Sequence, residues 1–176
     1  MGMTPQAFFA AFVEPNYFDC VDNPACVRRA FNAAVSASHL VDQYFEFYKR
    51  NDPQLVKDFR TLGEFVEHVS TKTNGAFRDI RSISNAYKHL YTDTDPRRSI
   101  HASVASTGAV DSIEFAYPDS ELESVAEHFE SGQHGVKVVY RRKDGHCCDF
   151  LPALQVVRDY FDGLLHAAGP SPLQQT

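Results

Sequence analysis

Around Asp95-Pro96 the hydrophobic pattern of this chain changes period, and no other feature limits the fold as much. Before that point apolar residues recur at spacings of three and four. After it, Ile100, Ala102 and Val104, then Ile113, Phe115 and Tyr117, alternate with small or polar residues. The first spacing buries one face of a helix and the second one face of a strand. The chain therefore reads as mainly α, a helical bundle carrying a small antiparallel β insertion at about residues 99–150 before a final helix.

Helix starts are legible as punctuation. Thr4-Pro5, Asn23-Pro24 and Asp52-Pro53 each set a capping side chain before a proline suited to the first helical turn, which predicts helices from near 5, 24 and 53. Thr61 with Glu64 and Ser120 with Glu123 have capping-box spacing and predict helices from near 62 and 121. Between Pro24 and Lys49 the apolar residues cover more than one face, as expected of a central helix with neighbours on two sides. From about Gly75 to Tyr91, Phe77, Ile80, Ile83, Ser84, Tyr87 and Leu90 form one buried stripe. Within "KVVYRRKDGHCCDF", Asp144-Gly145 suits a primed hairpin turn between two strands. Leu151, Leu154, Val157, Phe161, Leu164 and Leu165 then line one face of the closing helix. With 14 Phe and 8 Tyr in 176 residues there is material for one sizeable core, so residues 1–168 read as a single domain and 169–176 as a disordered tail.

The stretch that invites a chemical reading is "RSISNAYKHLY", where Arg81, Asn85 and His89 stand at steps of four and Lys88 beside them. Side chains at this spacing share one helix edge. Arginine and lysine there could hold a phosphate, and a histidine with an ordinary pKa of about 6.5 could move a proton near neutral pH. The competing reading is a polar seam whose Asn85 and His89 bond to a neighbouring helix.

"SNAYKH", Ser84 to His89, late on a long helix of a helical core, resembles the HEPN superfamily (higher eukaryotes and prokaryotes nucleotide-binding). Catalytic members carry an arginine, often followed by a polar residue, then a histidine four to six positions on. The resemblance implies a helical bundle and, in those members, a metal-independent ribonuclease whose two motif copies face one cleft of a dimer. Asn85 and His89 match, but Ser84 stands where the arginine should be, and Arg81 leaves seven residues before His89. The resemblance therefore implies a non-catalytic, dimeric binding or interaction module. The alternative is a metal-independent endoribonuclease using Arg81, Asn85 and His89.

Arg78 and Lys88 on this helix, with Arg141, Arg142 and Lys143 at the hairpin, are the candidate ligand-binding cations, a local patch that could take RNA or a nucleotide. The formal net charge is −6, so no whole-chain positive field draws nucleic acid or anionic lipid. His39, Asp42 and Glu46 with Glu64, Glu67 and His68 could be imagined around a metal, but the repeated Glu-x-x-His of di-iron bundles is missing and solvated faces are expected. Cys20, Cys26, Cys147 and Cys148 contain no Cys-x-x-Cys pair and read as mostly buried, reduced thiols. No Gly-x-Ser-x-Gly elbow, phosphate loop or dinucleotide fingerprint occurs. No cofactor or metal is expected. Without a leader-like segment or a run of about 18 apolar residues, a cytoplasmic protein with no membrane partner is the expectation.

Overall fold

The computed structural model describes residues 3–89, 110–116 and 137–168, without the side chains of 86–89 and 110–116. Helix α1 (Pro5–Phe8) starts where expected, with Thr4 Oγ1 accepting from Ala7 N at 3.1 Å. It runs through a π-helical turn (Phe9–Val13) into α2 (Glu14–Asp22). The wide turn, in which Glu14 N donates to Phe9 O, lies just before Pro15. Proline has no N–H to give and crowds the carbonyl four residues back, so a local widening lets the helix continue.

The long central helix α3 spans Val27–Asn51 and so begins three residues beyond Pro24. The Pro24 carbonyl accepts from Val138 N at 2.9 Å and is thereby turned toward the sheet, while the first bond of α3 runs from Ala30 N to Cys26 O. Asp52-Pro53 opens only a 3₁₀ turn, Pro53–Val56, instead of a full helix. Too few residues separate it from Thr61, which caps α4 (Leu62–Lys72): Thr61 Oγ1 accepts from Glu64 N at 3.2 Å, and Glu64 Oε2 reaches back to Arg60 N at 2.7 Å. Helix α5 (Ala76–His89) follows directly.

The junction of α4 and α5 is a Schellman turn. Gly75 N donates to Ser70 O, Asn74 N donates to Thr71 O, and Asn74 (φ 51°) and Gly75 (φ 86°) are both left-handed. Buried Thr73 stitches the two ends together, donating from Oγ1 to Val69 O at 2.8 Å and accepting from Phe77 N at 3.1 Å.

Strands β1 (Val110–Ala116), β2 (Lys137–Arg142) and β3 (Cys147–Asp149) form an antiparallel sheet with β2 in the middle. The β2–β3 turn is not the two-residue primed type. Arg142 N donates to His146 O, Gly145 N donates to Arg142 O, and Gly145 alone in the turn has a positive φ (88°). This is the longer turn with glycine at the left-handed position. Helix α6 (Phe150–Ala167) closes the described chain. Its flanking Asp149 makes no cap bond, because the carboxylate accepts from Lys137 Nζ at 2.8 Å.

The core lies between α3, α5 and α6, with Ala30, Ala34, Leu40, Val41, Phe77, Ile80, Val157 and Phe161 fully enclosed. Small residues on α3 let its neighbours approach closely. Toward its C-terminal half Tyr44 and Phe45 stack on Phe65 of α4, at ring distances of 5.5 and 5.8 Å. Arg158 ties α6 to α2 through Glu14 at 2.8 Å, its guanidinium lying over the Phe9 and Tyr17 rings. Among the described residues no helix is long and apolar enough to cross a membrane. The expected strand at 100–104, the helix near 121 and the tail at 169–176 lie outside the described residues.

Candidate functional site

On β2, Tyr140 and Arg142 are two residues apart and share the face toward α5, while Arg141 lies on the other face. Both converge on Asp79, one turn into α5 and only 2% exposed. Asp79 Oδ2 accepts from Tyr140 Oη at 2.8 Å, from Arg142 Nε at 2.9 Å and from Arg142 Nη2. A carboxylate with so little exposure must be paired to remain charged, and here the pairing is double. Burial first, then the bond to Asp79, pushes the Tyr140 phenol well above its ordinary pKa, so it remains a donor. The same carboxylate holds Arg142 firmly in its charged form.

These bonds use two of the five N–H groups of the guanidinium, and no other acceptor meets it among the described residues. Beside it opens a cleft of about 340 Å³, lined by Asn74, Gly75, Arg78, Asp79, Arg142, Lys143 and Asp144. Arg78 comes from the first turn of α5 and is exposed, with Nη2 3.1 Å from Glu67 Oε1. Lys143 projects from the hairpin turn and has no partner among the described residues. Asp144 Oδ1 accepts from His146 N at 3.0 Å, which lowers the Asp144 pKa. Gly75 borders open space, with no atom within 4 Å of where a Cβ would stand.

The sequence-predicted residues therefore divide. Arg78, Arg142 and Lys143 meet at the cleft, and Arg141 does not line it. Arg81 turns to α3, where Nη1 donates to Asp42 Oδ1 at 3.0 Å, with 26% and 35% of the two side chains exposed. Asn85 is half-buried one turn on, and Ser84 is fully buried on the apolar stripe, its Oγ without a hydrogen-bond partner among the described residues. The side chains of Lys88 and His89 lie outside the described residues.

Two other sets of residues singled out in the sequence can be placed, and for the cysteines the expectation of mostly buried thiols changes. The imagined carboxylate and imidazole set is dispersed: Asp42 binds Arg81, Glu46 binds Arg50, Glu67 binds Arg78, and His68 lies against the Phe59 ring. Among the described residues no group of His, Cys, Asp or Glu could hold a metal ion. Of the cysteines only Cys20 is buried, its thiol pushed up to about 11 by burial; Cys147 is exposed because β3 is short and its side chain faces outward.

Asp79 and Tyr140 were not singled out from sequence. The signal was present as a carboxylate bordering the Phe77–Ile80–Ile83 stripe, where a charge needs a partner, but the partner is 63 residues away. No family model matches the chain, and no curated protein or solved structure matches it.

Proposed function

We propose that this chain is a non-catalytic, HEPN-like binding or interaction module that works as a homodimer. The observation that carries the reading is the division of the cations: Arg81 is engaged by Asp42 inside the bundle, whereas Arg142 and Lys143 face a cleft with donors to spare. A catalytic motif needs its phosphate-binding cation free to meet substrate beside His89. Ser84, at the matching position, is enclosed and offers no charge. The homodimer has support in Phe12 and Phe18, 44% and 53% exposed on the N-terminal helices, with Val21 and Val156 also open.

Incubation of mixed-sequence RNA with the protein in the presence of a chelator tests the reading. The RNA should remain intact. Cleavage that vanishes in His89→Ala at unchanged melting temperature would instead establish the endoribonuclease. Light scattering at high protein concentration should return the mass of two chains, and a strictly monomeric mass would remove the dimer.

A further inference from the structure

The geometry points to a small hydroxylated phosphomonoester as the ligand of the cleft between the α4–α5 turn and the β2–β3 hairpin. This inference rests on the binding-module reading and names the chemistry that such a module would recognise.

Three cations reach the cleft from different directions. Arg78 comes from α5, Arg142 from the end of β2, and Lys143 from the turn. Arg142 is the anchor, because the buried Asp79 fixes its guanidinium before any ligand arrives. A pre-set fork of N–H donors loses little freedom when an oxyanion binds. Lys143 adds a charge that no protein carboxylate answers among the described residues. Asp79 and Glu67 already answer the charges of Arg142 and Arg78, but both guanidiniums keep spare N–H donors. A tetrahedral phosphate, which accepts from several sides at once, matches these donors and the unanswered Lys143 charge better than a planar carboxylate.

The remainder of the lining sets the size and polarity of what the phosphate is attached to. Asp144 and Asn74 also border the space, and suit hydroxyl groups rather than further phosphates or an acyl chain. A volume of about 340 Å³ lies at the low end for ligand sites. The Asp144 carboxylate and the net charge of −6 both oppose a long polyanion.

Isothermal titration calorimetry of the full chain provides the test, with glycerol 3-phosphate, inorganic phosphate and glycerol as probes. Glycerol 3-phosphate should bind, inorganic phosphate more weakly, and glycerol not at all. Lys143→Ala, which removes no hydrogen bond or ion pair among the described residues, should weaken glycerol 3-phosphate by about tenfold at unchanged melting temperature. Arg78→Ala should also weaken it, and Arg81→Ala should not. Absence of binding at millimolar phosphate ester, or binding indifferent to both Lys143→Ala and Arg78→Ala, would overturn the assignment. RNA cleavage in the separate assay would overturn the binding-module reading without altering the calorimetric result.

Discussion

Asp79 is the residue on which most of the local chemistry depends. It is buried on the helix side, and its two partners come from a strand far along the chain, so neither half can form its pairing alone. Asp79→Ala should destabilise the protein by about 2–3 kcal/mol, somewhat below the 3–5 expected when one partner of a fully enclosed pair is removed, because a third of the Arg142 side chain is already open to water. Denaturant unfolding would show this as a lower midpoint, and a change under 1 kcal/mol, roughly, would contradict the role given to the pair. The tyrosines make a second prediction. Burial, followed by Tyr48, raises the Tyr44 pKa, and Tyr140 is raised likewise. Below about 10, the unfolded value, both folded and unfolded chains keep these protons and stability does not depend on them. Above it the unfolded chain ionises first, so stability should fall as pH rises from about 10 toward the folded values. Tyr44→Phe should make that alkaline decline shallower in unfolding measurements across pH. Tyr140→Phe should in addition lose about 1.5–3 kcal/mol at neutral pH, through its bond to a charged acceptor.

Among the elements, the α4–α5 junction is the part whose local chemistry most directly positions the site. Two left-handed residues reverse the chain, and a single threonine hydroxyl satisfies both helix ends. Thr73→Val keeps the shape but leaves Phe77 N without its acceptor in a buried place. It should cost about 1–2 kcal/mol, more than the exposed cap loss in Thr61→Ala at about 1 kcal/mol or less. Equal costs by chemical denaturation would show that the hydroxyl does not join the helices. Cap residues made the starts of α1 and α4 legible, because a cap acts over one turn. Asn23-Pro24 marked the start of α3 to within three residues, and the offset accompanies a hydrogen bond to the Pro24 carbonyl from Val138, more than a hundred residues away. Asp144-Gly145 marked the hairpin correctly but not its turn type, since a glycine there serves the longer turn that forms as well as the two-residue primed turn expected. Pro15 gave no sign of a helix passing through it, because a proline ordinarily ends one and the π turn that accommodates it has no sequence mark of its own.

For the whole molecule, the change of period near Asp95-Pro96 was enough to anticipate the order among the described residues, helices first, strands afterwards and a helix last. It could not say which face of α5 each arginine meets. Arg78 and Arg81 are three residues apart, yet one borders the cleft and the other pairs with α3, a difference decided by how α3 and the hairpin sit on either side of α5. The central claim is that this division assigns Arg81 to the bundle and leaves ligand recognition to the cleft. A double-mutant cycle in unfolding free energy over Asp42→Ala and Arg81→Ala tests it most directly. The account predicts a favourable coupling of about 0.5–1 kcal/mol, the range of a partly solvated pair. Additive effects, with no coupling between the two substitutions, would contradict it and return Arg81 to the candidates for substrate contact.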